Sequence, residues 1–429
     1  MKKRRAITHI TFAQSVFLNI KFFFQNGLLS YASACSFDLI FSAVPILIMI
    51  ILLAVRFLHA SPALIDSIYF TVPELKNYFN PEAILHSFQT IKKFSTLEAF
   101  LIFSIFWMAR RFFASVFASL RNIFHDQQKR RPVINQILVF VFEIAVVFIA
   151  VMFVSFYMSI KTIVALPFFQ RFPQLDFIHT GILRGKLFSY LPNFLFFVVV
   201  TLMYKIGAGT RPKLKLCLAS GFICTASFWM FRAILHSFIN VSRYNLIYGV
   251  LGNVIILLID IFFFFTFFLF FAQYIFVCQF FDELLLGELY LLPKKEESGF
   301  AGKLRRLLFI KPDFLLAKDF PIIYLSAGES IYKDGDKDSN AYYILKGSIK
   351  VNRPEFREEN YFKKGDFFGE LICILGKPRS STATALEDSQ IVRITEEDFR
   401  FLVNQNFPVA QKVLGQLGIY FTKYYGTQN

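Results

Sequence analysis

Apolar residues run along this chain in two rhythms. Between residues 31 and 279 they form long stretches with few interruptions, such as Phe262 to Phe265, whereas from Pro321 onward they form short runs (IIYL, SIYK, AYYILKGSIKVN, SQIVRIT) parted by Gly, Asp and Ser. The first rhythm belongs to helices apolar on every face, the second to strands ended by turns. Six stretches reach the roughly 20 residues that cross a hydrocarbon layer about 30 Å thick, near 31–55, 97–120, 133–160, 187–206, 214–239 and 247–279. Ahead of them, Ile7, Ile10, Phe17, Ile20 and Phe24 recur at helical spacing with Gln14, Lys21 and Gln25 between, which predicts an amphipathic helix in the membrane interface. A helical pattern, EEDFRFLVNQNF followed by PVAQKVLGQLGIYFTKYY, closes the chain.

Loop charge orients these spans. The short connections 121–132 (RNIFHDQQKRRP) and 205–215 (KIGAGTRPKLK) are strongly basic and so face the cytoplasm, and an even number of spans then leaves both termini there. Residues 284–311, with KKEESG and then KLRRLL, read as a linker with a short helix. The reading divides the chain into a membrane domain of residues 1–283, this linker, and a soluble domain of residues 312–429.

Composition sharpens the class. Of 429 residues 55% are hydrophobic and 59 are Phe, a membrane composition. The net charge of +16 is uneven, since residues 312–429 hold 15 Lys or Arg against 16 Asp or Glu, while the first 311 residues hold 31 against 14. Bases flanking apolar spans contact lipid headgroups, so the excess points to a bilayer and not to nucleic acid. The five cysteines show no paired spacing, so neither a disulfide framework nor a metal site is expected.

The chemistry concentrates in FGELICILGKPRSSTATA, Phe368 to Ala385. Here the chain resembles the cyclic-nucleotide-binding domain family, whose phosphate-binding cassette runs FGE, an apolar helix, then PR with small residues. Supporting features follow in order: AGE at Ala327 to Glu329, Gly335 in a DGD turn, YYILKGSIKV from Tyr342 and KKGDFFGE ending at Glu370. The resemblance covers about 312–425 and implies a β-roll binding cAMP or cGMP, with no other cofactor. Gly369 would permit a tight turn, Arg379 would pair with the phosphate, Glu370 would accept the ribose 2′-hydroxyl and Leu371 would supply an amide. Ser380 and Ser381 stand where the family has small residues, and Thr382 is a hydroxyl of the kind that contacts guanine. A domain that binds nothing, with Glu370 and Arg379 as an internal ion pair, is the competing reading. The short chain remaining after Phe407 predicts a short lid over the base.

Polar residues inside the spans form a second group: Asp38, Arg110, Arg111, Glu143, His236 and Asp260, with Arg232 and Asn253 nearby. Charges at that depth face a cavity or a partner, so they are candidate transport residues, or pairs locking the bundle, Arg110 and Arg111 with Glu143 or Asp260. The membrane half also resembles the YihY/BrkB family of six-span bacterial inner-membrane proteins, through LLSYASACSFDLIFSAVPILIMI (Leu28 to Ile50), SLRNI ending at Ile123 and YNLIYGVLGNVI (Tyr244 to Ile255).

The expected fold is therefore a membrane all-α bundle of about six transmembrane helices plus a soluble α+β domain of cyclic-nucleotide-binding type. The expected function is a transporter or permease-like inner-membrane protein regulated by cyclic nucleotide, free to form an oligomer and without catalytic residues. The alternatives are an envelope scaffold or sensor whose soluble domain binds nothing, and the tRNA-processing ribonuclease BN with which relatives have been labelled. The last is weak, because the cytoplasmic loops bring only His125 and Asp126 together, amid bases.

Overall fold

The computed structural model describes residues 9–42, 96–124, 191–207, 212–238, 250–291, 320–354 and 358–426, with isolated positions between them. Two compact units emerge, Lys21–Phe276 and the pair of segments Met1–Ile20 and Val277–Asn429.

The first unit is helical. Helix α1 (His9–Gln25) belongs mostly to the other unit, and after it come α2 (Leu28–Ser42), α3 (Thr96–Phe124), α4 (Leu191–Gly207), α5 (Leu214–Phe238) and α6 (Val250–Gln279). Among the described residues two helices, Leu214–Phe238 and Ile255–Gln279, are long and apolar enough to cross a membrane. The expected span 133–160 falls almost wholly outside the described residues, as does the second half of 31–55. Close approach of α4 and α5 depends on Gly221, where a Cβ would lie 2.6 Å from Thr201 Oγ1. Part of the Phe run of α6 builds the bundle interior. Phe265 and Phe268 are buried, and Phe264 sits 4.9 Å from Phe196 and 5.4 Å from Phe228, centroid to centroid. Tyr204 stacks on Phe268 and donates to its carbonyl at 2.9 Å, which satisfies a buried hydroxyl.

The second unit holds a β-roll. Its antiparallel strands are β1 (Ile322–Leu325), β2 (Ser330–Tyr332), β3 (Ala341–Lys346), β4 (Ser348–Arg353), β5 (Glu358–Lys363), β6 (Phe367–Phe368), β7 (Thr382–Ala385) and β8 (Ser389–Ile394). They form two sheets in the orders β1-β8-β3-β6 and β2-β7-β4-β5. Strand β3 reads AYYILK without polar alternation because both its faces are covered. Tyr342 and Ile344 join Ile349, Val351 and Ile391 between the sheets, while Ala341, Tyr343 and Leu345 pack against helices.

Those helices are α7 (Phe281–Leu291), α9 (Glu396–Gln405) and α10 (Phe407–Gly426), with the short α8 (Glu370–Leu375) after β6. Thr395 caps α9, accepting from the Asp398 amide, and Glu396, Glu397 and Asp398 suit the positive end of its dipole.

Two expectations change here. Residues 284–311 are not simply a linker, since Leu286, Leu289, Tyr290 and Leu291 of α7 are buried in the same core as Phe399 and Val413. Glu288 of α7 also forms a buried pair with Arg305 at 2.7 Å. Gln14 of the polar stripe on α1 does not face water either, although Gln25 of the same stripe is exposed. Gln14 is 1% exposed and donates to the Leu308 carbonyl at 2.8 Å, and Phe17 meets Phe309 edge-on. A polar residue repeated on an amphipathic helix had two destinations, solvent or a backbone acceptor, and here the acceptor wins.

Candidate functional site

A cavity of about 350 Å³ opens within the second unit, between the cassette, the β4–β5 hairpin and α10. Gly369, Glu370, Leu371, Arg379, Ser380 and Ser381, the six residues picked from the cassette, all line it. Two backbone bonds tie the cassette at Arg379 to the DGD turn: the Gly335 amide donates to the Arg379 carbonyl at 2.8 Å and the Arg379 amide to the Asp336 carbonyl at 2.9 Å. Gly369 has φ +75°, and a Cβ there would lie 2.7 Å from Arg379 Nη1, so both backbone and space require glycine.

Arg379 is 2% exposed. Its Nη1 donates to the Gly369 carbonyl at 2.9 Å and its Nε to Asp338 Oδ2 at 3.0 Å, while Nη2 donates to Asp338 and to the Asn340 carbonyl. The guanidinium also lies over Tyr332, 4.0 Å from the ring centroid. Burial would raise the Asp338 carboxyl, but the bonds and charge of Arg379 outweigh it and hold the group below the ordinary carboxylate value. Four of the five guanidinium donors are thus engaged, and the remaining Nη1 hydrogen is the one left for an anion. The internal ion pair weighed from sequence exists, with Asp338 in place of Glu370.

Glu370 is the opposite case. Burial pushes its carboxyl above the ordinary value, opposed by its own backbone amide, by the charges of Lys412 and Arg353 and by a hydrogen bond from Gln416. A buried carboxyl with that surrounding suits a neutral donor such as a hydroxyl. Helix α8, Glu370–Leu375, starts at the cavity, with Gly369 at its N-cap and Glu370 and Leu371 in the lining.

The chain after Asn406 forms one helix beside the cavity. Helix α10 runs 20 residues, and its Lys412, Gln416, Ile419 and Tyr420 line the cavity. Thr382 lies elsewhere, in β7, where its hydroxyl accepts from the Asp334 amide at 3.1 Å.

Over residues 322–406 the chain matches the cyclic nucleotide-binding domain, and over residues 20–280 it matches the family described as virulence factor BrkB. The chain belongs to the BrkB family. It is a BrkB-family membrane protein that carries a cyclic nucleotide-binding domain after its helical region. Relatives include the cAMP-dependent protein kinase regulatory subunit of Eremothecium gossypii, 30% identical over 80 residues, 19% of this chain and 18% of that one. A cyclic nucleotide-gated potassium channel of Rhizobium etli is 29% identical over 87 residues, covering 20% of this chain and 24% of the channel. A patatin-like phospholipase domain-containing protein of Caenorhabditis elegans is 29% identical over 113 residues, 26% of this chain and 8% of that protein. The chain thus spans less than a quarter of the length of each of these curated relatives.

Within the BrkB region the polar residues singled out from the sequence find partners other than those expected. Arg111 Nε meets Asp38 Oδ1 at 2.8 Å, and Arg110 lies over the Trp107 ring at 5.1 Å. Asp260 meets His236 at 3.0 Å and Arg232 at 3.3 Å. Glu143 lies outside the described residues, as does the side chain of Asn253.

Sequence reasoning missed Asp338, Tyr290, Lys412 and Gln416. Asp338 stood in a DGDKDSN run that reads as a solvated turn, and only the fold brings it across to a residue 41 positions away. Tyr290 sat in the segment read as linker; its apolar neighbours LLLGELYL were the available signal.

Proposed function

We propose that this chain is a multi-pass inner-membrane protein of transporter or permease type, with about six spans and cytoplasmic termini, whose activity is set by a cyclic nucleotide in the cavity of its C-terminal domain. The observation that carries this reading is the cavity itself, where a glycine-dependent turn, a fixed guanidinium, a buried carboxyl and two serines converge. A cyclic phosphodiester offers one anionic group to Arg379 and one 2′-hydroxyl to Glu370, and a purine has the apolar and aromatic wall of Val351, Ile419 and Tyr420. The likeness to a cyclic nucleotide-gated channel supports regulation of a membrane process. No enzymatic step is assigned.

Coupling of 1–3 kcal/mol is typical between sites, so cyclic nucleotide is expected to change flux by about fivefold to 150-fold. The test is efflux of ions and small solutes from proteoliposomes with and without cAMP or cGMP on the C-terminal side. Flux that responds to nucleotide supports the reading. Binding without any flux overturns the transport part and favours a scaffold or sensor, a reading supported by the mutual pairing of Arg111 with Asp38 and of Asp260 with Arg232 and His236.

A further inference from the structure

Helix α1 is amphipathic with its faces reversed. Between His9 and Ile20 its buried face carries Thr11, Gln14, Ser15 and Asn19 beside Leu18. Phe12, Val16 and Ile20, four residues apart and so on one side of the helix, turn the other way, with Phe12 54% and Ile20 44% exposed. The polar face has a partner within the second unit. Gln14 Nε2 donates to the Leu308 carbonyl at 2.8 Å, and Phe17 meets Phe309, itself buried, at 5.8 Å between centroids. Three positions before Leu308, Arg305 forms its buried pair with Glu288 of α7, whose Leu286, Leu289 and Tyr290 lie in the core shared with β3 and β8. Polar bonds and one aromatic contact thus join α1 to the nucleotide-binding unit, and the apolar side of the helix is left over.

Charge and chain continuity identify what covers that side. Residues 1–37 contain five Lys or Arg (Lys2, Lys3, Arg4, Arg5 and Lys21) and no Asp or Glu, the complement of an anionic lipid surface. The helix leads through the Gly27 turn into α2, within the region that matches a membrane-protein family. A helix lying against a protein in water keeps its polar residues outside and its apolar ones within, and the reverse arrangement is that of a helix with lipid on its outer side. We propose that α1 is an in-plane membrane anchor for the nucleotide-binding unit: Phe12, Val16 and Ile20 enter the boundary between headgroups and acyl chains of an anionic leaflet, about 5–10 Å deep, while Gln14 and Phe17 hold the 305–309 segment from the opposite face. None of these residues lines the cavity, so the anchor does not depend on what the cavity binds.

The test places a nitroxide spin label at Phe12→Cys and at Ile20→Cys, one at a time, in the full chain reconstituted in vesicles of phosphatidylcholine and phosphatidylglycerol. Four of the native cysteines are buried, and the unsubstituted protein gives the background. Both labels are expected to be reached by oxygen in preference to a water-soluble nickel chelate, as at the acyl boundary. Preference for the chelate at either position, or shielding from both reagents as under a second copy of the chain or another protein, overturns the anchor. Gln14→Leu and Phe17→Ala read the opposite face. By hydrogen exchange in the same vesicles, the 305–309 amides are expected to exchange about fivefold faster in each variant, the factor set by one net hydrogen bond or one aromatic contact, with the amides of β3 and β8 unchanged. Acceleration confined to 305–309 in either variant supports the link. Unchanged exchange there in both, or an equal loss of protection in β3 and β8, overturns it.

Discussion

Each unit of the chain contains an acid–guanidinium pair, and the two are built differently. In the helical unit Arg111 reaches Asp38 through one 2.8 Å bond, with 60% of the arginine side chain outside the packed interior. In the β-roll unit Arg379 is 1% exposed at its side chain and is tied to Asp338, two backbone carbonyls and a tyrosine face. The first pair fixes two helices at one point. The second joins the DGD turn, β3 and the cassette around a cavity, so its arginine is part of the fold and part of the site together. A buried charge that must be satisfied on every side leaves little freedom for its position, and that rigidity is what a binding group needs.

Removing the second guanidinium is therefore the largest perturbation available. Arg379→Ala removes the cation beside Asp338, which keeps its bonds from Tyr342 and Asn340, and the donor to two carbonyls, and is expected to cost about 3 kcal/mol of the β-roll's stability, read by urea unfolding. Arg379→Lys is expected to recover less than half of that, because an ammonium cannot reach three acceptors in a plane. Next comes Gly369→Ala, which forces φ +75° on an L residue and pushes a methyl into Arg379; about 1–2 kcal/mol is expected in the same measurement. The helical pair is expected to be weaker by comparison, with a double-mutant cycle on Asp38 and Arg111 giving about 0.6 kcal/mol. A coupling there as large as for Arg379 and Asp338 would erase the distinction.

The two carboxyls of the cavity are expected to respond to pH in opposite senses. Asp338 titrates lower in the folded chain than its ordinary 3.8, so its contribution is present above that value and is lost as pH falls through the lower folded value. Glu370 titrates above its ordinary 4.5, so the fold is favoured while it is protonated and gives up stability as pH rises from 4.5 through the folded value. Glu370→Gln is thus expected to raise thermal stability at pH 7 while lowering nucleotide affinity about tenfold, the pattern of a site kept at some cost to the fold.

The sequence made the cassette legible because its requirements are local: a glycine for a left-handed turn, a proline and an arginine at fixed spacing, small residues beside them. The partners of those residues were not legible, because they arrive through the roll. Asp338 reaches Arg379 only when β3 and β7 lie in facing sheets, and Gln416 reaches Glu370 only when α10 folds back. In the helical half, hydropathy located the apolar helices but not which polar residues meet, since Asp260 pairs with Arg232 and His236 across α5 and α6 and Arg111 with Asp38 across α2 and α3. Apolar segment length is a property of one stretch, whereas pairing depends on how helices rotate against each other.

The central claim is that a monoanionic cyclic nucleotide fits the space between Arg379 and Glu370. Calorimetric titration of the full chain with cAMP and with cGMP tests it most directly. A saturable signal with a dissociation constant below about 1 mM for at least one of them, weakened about tenfold by Glu370→Gln, is the expected result. Folded protein that gives no saturable heat with either nucleotide would contradict the account and leave a β-roll whose arginine serves the fold alone.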